Sequence, residues 1–243
     1  MKQQLLILSG FFLLFSSLIF AQDEKEQAGV IPDTVPFTLD NKYREDQFYL
    51  GLTYNILTNK PDAISQSGFS GGFTGGFVRD FPVNQRRNLA LGIGLGWTLN
   101  TYGQNLFIGQ ENNGETIFRA LGRDLDYATN RFSFQMLEVP LEFRWRTSMP
   151  QSYKFWRIYA GLKPGYIYYF KSNFKQTDPF NQVIQNDVPE LEKFRLGATF
   201  TFGYNTFNFH FYYNLIPLFA EGSLNDQQIN ISPLRIGLMF YIL

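Results

Sequence analysis

Charged side chains recur at alternate positions within apolar stretches, and they are the residues through which this chain could do chemistry. The stretch LEVPLEFRWR (137–146) carries Glu138, Glu142, Arg144 and Arg146, all at even positions. Two neighbouring carboxylates can divide the work of a general acid and a general base. The same carboxylates can instead pair with the arginines and serve only the fold. The elements that position these side chains decide between the two.

The single histidine, His210, is the other candidate for chemistry. A hydrolase triad or a zinc site needs histidine together with further partners. A lipid hydrolase in a membrane would place its nucleophile at the outer rim facing lipid, whereas His210 alternates in phase with Asn208 and Tyr212. We interpret His210 as a hydrogen-bonded structural residue and predict no enzyme activity. No phosphate-binding glycine motif and no Cys/His metal spacing occurs, so no cofactor or metal site is predicted.

Eight runs of alternating residues follow one another from Phe48 onward, and each is typical of a half-buried β-strand. One face of each run is rich in Phe, Leu, Ile and Trp, and the other in Gly, Thr, Asn and charged residues. The runs occupy residues 48–57, 69–81, 88–100, 131–146, 155–170, 193–204, 207–219 and 232–243.

The connections between runs alternate in length. The short ones are 82–87, 147–154 and 205–206, and the long ones are 58–68, 101–130, 171–192 and 220–230. An even strand number with short turns at one end and long loops at the other is the plan of an outer-membrane barrel. The sequence predicts an all-β fold: an eight-stranded antiparallel up-and-down transmembrane β-barrel with short periplasmic turns and long extracellular loops.

A soluble lipocalin-like barrel is the alternative, with its apolar face inward. The narrow interior of eight strands suits the glycine-rich polar face, and lipid suits the face of Phe and Leu. Two predicted aromatic girdles favour a membrane, with lipid as the partner of the outer face. Trp145 and Trp156 fall at the short-turn end, and the long-loop end has Trp97, Tyr166, Tyr168, Tyr169 and Phe170.

Turning the polar face inward collects eight ionisable residues, which we call the interior charged cluster. We expect Lys163 and at least one of Arg195 or Arg235 to pair with the glutamates, because an unpaired charge in a narrow interior is costly. Such a cluster forms a structural plug or, alternatively, a gated conduit or ligand site. Its members are Glu138, Glu142, Arg144, Arg146, Arg157, Lys163, Arg195 and Arg235.

Pro140 interrupts the fourth run, where a strand loses a ladder hydrogen bond. Phe132, Phe134 and Met136 share even positions, whereas the apolar residues from Leu137 onward share odd ones. A β-bulge shifts a face by one residue in this way. The sequence therefore predicts a bulge or a break in pairing within residues 135–140.

The N-terminus directs the chain out of the cytoplasm. Residues 1–21 have the charged start, apolar core and small final residue of a signal peptide, and 22–47 are predicted to be a flexible periplasmic segment before the barrel at 48–243.

The formal charge is balanced, with 21 basic and 21 acidic residues, so no nucleic-acid partner is predicted. The chain has no cysteine, which excludes disulfides.

The run LEVPLEFRWR, together with the following YKFWRIYAGLKPGYIY, resembles the PorT family of outer-membrane β-barrels from the Bacteroidota. The resemblance lies in Leu137 to Leu141 and in the basic, aromatic strand that follows. It implies residence in the cell outer membrane and a non-enzymatic structural or accessory role in protein secretion of type IX, with other secretion-system proteins as partners. The alternatives are a narrow small-ligand transporter or binding barrel, whose ligand is unknown, and an outer-membrane lipid-modifying enzyme.

Overall fold

The computed structural model describes residues 46–111, 114–122, 124–147, 155–219, 222–224 and 227–242. The predicted signal peptide, 1–21, and residues 22–45 of the predicted N-terminal segment lie outside the described residues. Fourteen strands are present in the described part, and their bounds are β1 Gln47–Thr58, β2 Gly71–Pro82, β3 Leu89–Gly103, β4 Leu106–Gln110, β5 Thr116–Ala120, β6 Thr129–Glu138, β7 Leu141–Arg146, β8 Trp156–Gln176, β9 Asn181–Gln185, β10 Phe194–Tyr204, β11 Phe207–Asn214, β12 Ser223–Leu224, β13 Gln227–Gln228 and β14 Ser232–Ile242.

The barrel closes because the first and last strands pair with each other. β1 pairs with β14 from Phe48↔Ile242 to Thr58↔Ser232, and with β2 on its other side. The remaining neighbours pair in chain order, with β6 and β7 together taking one position between β3 and β8. All these pairings are antiparallel, and closure leaves no open edge among the eight barrel strands. The predicted eight-stranded antiparallel barrel is confirmed.

The two ends of the barrel differ as the connection lengths predict. At one end the links are 83–88, 147–155 and 205–206, and Asn205 takes a left-handed conformation (φ 55°) in the two-residue turn. At the other end the links are longer, and they contain strands that the sequence analysis did not predict: the β4–β5 and β12–β13 hairpins, and β9, which pairs with the end of β8. In barrels of this plan, short turns face the periplasm and long loops face outside the cell.

Side chains alternate between an apolar outside and a packed inside. On β1, Phe48, Leu50 and Leu52 are exposed, whereas Gln47, Tyr49 and Asn55 are buried. The first strand begins at Gln47, one residue before the predicted start at Phe48. Exposed apolar side chains also cover the outer faces of the other barrel strands, as lipid contact requires. Within the described residues, no helix is long and apolar enough to cross a membrane.

The predicted irregularity is present, but the reason given for it is wrong. Pairing breaks between β6 and β7 at residues 139–140, and the β6–β8 register shifts between Gln135 and Met136. The extra residue is Tyr168 of β8, because Met136 pairs with Ile167 and Gln135 with Tyr169. β6 itself keeps a constant alternation, with Met136 buried and Leu137 48% exposed. Phe170, which was predicted to face lipid, is buried because the bulge reverses the alternation of β8.

Prolines are tolerated in the barrel wall because the register continues past them. Gly94 of β3 donates to the carbonyl of Pro140 at 3.1 Å, and Val139 donates to the carbonyl of Pro164 at 2.8 Å. Neither proline can return a hydrogen bond, since proline has no N–H. The strands β6 and β7 are therefore separated only because Pro140 and Pro164 lack the N–H groups that would complete the ladder, while the register stays regular on both sides.

The inward apolar residues of the fourth run belong to a core at the long-loop end. Phe132, Phe134 and Met136 point into the barrel, where they pack with Tyr102 of β3 and Phe170 of β8. Residues from the long loops complete this core, which we call the apolar cap. They are Ile64, Leu106, Ile108, Val188, Leu191, Leu218, Phe219, Leu224, Ile229 and Ile231. The change of apolar face in the sequence thus marks the level at which the interior changes from charged to apolar.

Candidate functional site

The interior of the barrel holds all eight residues of the interior charged cluster. Each is at most 5% exposed, because each occupies an inward position of β7, β8, β10 or β14 or the last inward position of β6. The structure adds a ninth charged residue, Asp80 of β2, which is fully buried. Among the described residues, the buried charged side chains are these nine, six basic and three acidic.

Asp80 joins two arginines near the short-turn end. Its two carboxylate oxygens accept hydrogen bonds from Nη1 of Arg144 and Nη1 of Arg146. Arg144 also donates to Gln47, and Arg146 to the backbone carbonyl of Arg87 at 3.2 Å. β2, β3 and β7 are neighbours, so Asp80 connects side chains across two strand pairings. Glu142 lies 3.8 Å from Nε of Arg144, too far for a hydrogen bond.

Glu138 and Arg235 form a second ion pair farther into the barrel. Nη2 of Arg235 donates to Oε1 of Glu138 at 2.7 Å, and the Thr98 hydroxyl donates to Oε2 at 2.5 Å. β6 and β14 are not neighbours in the sheet, so this pair spans the interior rather than running along the wall. It satisfies both oxygens of a carboxylate that burial would otherwise penalise.

Lys163 and Arg195 do not pair with the glutamates as expected. Nζ of Lys163 lies 5.2 Å from the centre of the Tyr49 ring and, within the described residues, is in no ion pair. Both oxygens of Glu138 already have other partners. Arg195 turns toward the long-loop end, where it donates to the carbonyls of Pro217 at 2.7 Å and Ile216 at 2.6 Å. Of the predicted pairs, only the one with Arg235 forms.

Aromatic rings make cation–π contacts with several of the buried basic side chains. The guanidinium carbon of Arg235 lies 3.4 Å from the centre of the Tyr212 ring, and that of Arg144 lies 3.9 Å from that of Tyr159. Arg157 lies 4.1 Å from the Phe155 ring and donates to the carbonyl of Asn205. A cation over a ring gains about 2 kcal/mol when both are desolvated. The interior thus stabilises its cations with rings and carbonyls as well as with the carboxylates of Asp80 and Glu138.

Glycines provide the space for these rings. A Cβ on Gly96 would lie 2.1 Å from the Tyr49 hydroxyl, and one on Gly197 would lie 2.1 Å from the Tyr212 ring. Gly96 and Gly197 therefore leave the space that the large inward side chains of Tyr49 and Tyr212 occupy. This placement agrees with the expectation that the glycine-rich face suits a narrow interior.

His210 lies in the same interior and makes a structural contact. Its Nδ1 is 2.7 Å from the hydroxyl of Thr201, its partner in the β10–β11 register. The ring is buried, away from the outer rim where a lipid hydrolase would work. Across the described ranges, no group of three or more His, Cys, Asp or Glu side chains is placed to hold a metal ion.

Sequence reasoning missed Asp80 although its position carried the signal. Asp80 shares even positions on β2 with Thr74 and Val78, and these also face inward. The aromatic residues Phe73 and Phe77 mark the outward face of the second run, and Asp80 is the acidic residue of the opposite face. Tyr212, which alternates in phase with His210, is buried in the interior as that pattern predicts.

Comparison with known proteins places this geometry in context. The sequence model of the family described as "Outer membrane protein beta-barrel domain" matches residues 20–220. Among solved structures, the chain is similar to Ail, the attachment invasion locus protein of Yersinia pestis. A complex of Ail with the heparin analogue sucrose octasulfate is 12% identical, covers 82% of this chain and 99% of that chain, and has a TM-score of 0.34. A second Ail structure is 12% identical, with 81% and 97% covered and a TM-score of 0.31. No curated protein matches the chain.

Proposed function

We propose, from the premise that this chain belongs to the outer membrane protein beta-barrel domain family, that it is a non-enzymatic accessory component of protein secretion. The protein resides in the outer membrane as a closed eight-stranded barrel. It acts through the surfaces that it presents at its two ends, and the barrel interior serves to keep the wall rigid.

The filled interior is the observation that carries this proposal. The Glu138–Arg235 ion pair crosses the barrel, and the apolar cap closes the long-loop end above it. The interior of an eight-stranded barrel is narrow enough for side chains alone to fill it. A filled interior is compatible with a protein that works by contacting other proteins. It is less compatible with a protein that conducts a solute. The same packing argues against the small-ligand transporter.

The long-loop end supplies a surface for such contacts. The β8–β9 hairpin extends past the barrel, and Phe180 near its tip is 70% exposed. Binding residues are found disproportionately on loops held by a rigid scaffold. The resemblance to the PorT family supports secretion of type IX as the process served.

A deletion strain tests this proposal. We expect type IX cargo to accumulate in the periplasm and to be depleted from the medium, as measured by quantitative proteomics of both fractions. Complementation with the wild-type gene should restore secretion, and complementation with Phe180→Ser should restore it only in part. Asn186→Ser, an exposed polar residue just after β9, is the matched control and should restore it fully. Normal secretion in the deletion strain would contradict the proposal.

A further inference from the structure

The outward residues of β6 and β8 change from apolar and aromatic to polar and basic above the aromatic girdle. Below the Tyr168 bulge, the outward pair is Leu137 and Tyr166. Above it, the outward residues are Ser133, Arg131 and Thr129 on β6 and Lys171, Asn173 and Lys175 on β8. Three of these six are basic, and none is acidic. We call Arg131, Lys171 and Lys175 the outer basic patch.

The strand register brings the outer basic patch together. Arg131 pairs with Asn173, which places it diagonal to both Lys171 and Lys175 on the same face. Diagonal neighbours lie about 7–8 Å apart, within reach of long side chains. Across the described residues, none of the three forms an ion pair. Three neighbouring basic residues on one face, none in an ion pair with a described residue, leave this face suited to an external anion.

The aromatic girdle fixes the height of the patch in the membrane. Nε1 of Trp97 donates to the Tyr168 hydroxyl at 2.7 Å, which donates to the Gln135 side chain at 2.7 Å. Trp and Tyr in this outward arrangement mark the level of lipid headgroups. Lys171 lies two residues beyond Tyr169, roughly 7 Å farther along the strand. The patch therefore begins where phosphate groups of the outer leaflet lie.

A groove adjoins the patch on the side of Arg131. It has a volume of about 380 Å³, and its walls include Ser67, Gly68, Phe69, Tyr127 and Arg131. Gly103 also lines it opposite Arg131 in the register, and the lack of a side chain there lets the Ser67–Phe69 backbone pack against β3 as the far wall of the groove. The groove offers room for a sugar-sized group beside the three cations.

We propose that the outer basic patch binds the phosphorylated headgroup of an outer-leaflet glycolipid, with a headgroup sugar in the groove beside Arg131. The arginine fork can hold two phosphate oxygens, and the lysines act as point charges. This inference does not depend on a role in secretion, since it concerns the lipid around the barrel.

Binding of lipid A to the purified full-length protein in detergent micelles tests the proposal, with fluorescently labelled bisphosphorylated lipid A as the probe. The triple variant Arg131→Gln, Lys171→Gln, Lys175→Gln should bind on the order of 100-fold more weakly, since each basic side chain near anionic headgroups contributes about fivefold. Arg79→Gln is the matched control, because Arg79 is an outward basic residue on β2 near the short-turn end, and its binding should be unchanged.

Two competitors identify the source of the phosphate. Dephosphorylated lipid A should fail to displace the probe, and inorganic phosphate should displace it only weakly, because neither supplies sugar and phosphate together. Equal competition by the dephosphorylated lipid, or full displacement by millimolar phosphate, would overturn the proposal. So would a triple variant that binds like the wild type.

The charge-conserving variant Arg131→Lys, Lys171→Arg, Lys175→Arg separates charge from folding. It should retain most of the binding, and each protein should show the heat-dependent gel migration of a folded barrel. If the triple glutamine variant does not fold, the three single glutamine variants replace it, with an expected loss of about fivefold each. Loss of binding in the charge-conserving variant but not in the glutamine variants would overturn the proposal.

Discussion

The interior of this barrel has two regions that solve the same packing problem with different chemistry. Near the short-turn end, charged groups such as Asp80, Arg144 and Arg146 bind one another across neighbouring strands of the wall. Near the long-loop end, rings such as Tyr102, Phe132 and Phe170 stack with centroids 5.1–5.9 Å apart. One strand, β6, contributes to both without a change of alternation. The comparison indicates that the charged region fixes the barrel wall, whereas the apolar region fixes the loops onto it.

Replacement of Asp80 by alanine should have the largest effect of any single change. The substitution removes the carboxylate that accepts hydrogen bonds from both buried arginines, Arg144 and Arg146, which costs about 4 kcal/mol in the free energy of unfolding. Urea unfolding in detergent micelles, followed by tryptophan fluorescence, measures this loss. Asp62→Ala, at an exposed position in the link between β1 and β2, is the control and should cost less than about 1 kcal/mol. Equal losses of stability in the two variants would contradict the claim that Asp80 stabilises the barrel by binding Arg144 and Arg146.

Phe132→Ala tests the apolar region in the same way. The ring is fully buried and contacts Tyr102, Phe170 and Phe219, so a cavity there should cost about 3 kcal/mol. Phe219 belongs to a long loop, and we therefore expect limited proteolysis to cut the loops faster. Asp80→Ala should leave the rate of loop cleavage unchanged below its unfolding transition. A uniform loss of stability without faster loop cleavage would remove the distinction between the two regions.

A double-mutant cycle on Glu138 and Arg235 should give a smaller, specific coupling. The direct contact of 2.7 Å in a buried site predicts a coupling of about 2 kcal/mol for Glu138→Gln with Arg235→Met. The free energies of unfolding of the four proteins provide the value. Additive effects within about 0.5 kcal/mol would contradict a pair that acts across the barrel.

Lys163→Met should have the smallest effect. Within the described residues Lys163 has no ion pair, and methionine keeps an unbranched chain beside Tyr49. Replacing a buried charge with an apolar group of similar volume is often neutral or stabilising, so we expect a change within about 1 kcal/mol. Thermal unfolding in the same detergent measures it. A loss as large as that of Arg235→Met would mean that Lys163 holds a partner that the geometry does not indicate.

Alternation in the sequence was enough to predict the barrel and the inward position of every member of the interior charged cluster. It failed at Phe170, because the Tyr168 bulge in β8 reverses the alternation and no residue type in YIYYF marks the extra position. Partners were harder to predict than positions. Glu138 pairs with Arg235 across the interior, and register along neighbouring strands carries no information about contacts across a barrel. Phe132 was assigned to a lipid face because periodicity alone does not distinguish an apolar interior from an apolar exterior.

Conductance across a planar lipid bilayer tests the central claim, that the interior is a structural plug, most directly. The purified barrel should insert and give no reproducible current steps. Glu138→Ala should still give none, because the apolar cap closes the long-loop end independently of that ion pair. Reproducible single-channel steps from the wild-type protein, abolished or altered by Glu138→Ala, would show that the interior charged cluster lines a conduit and would contradict this account.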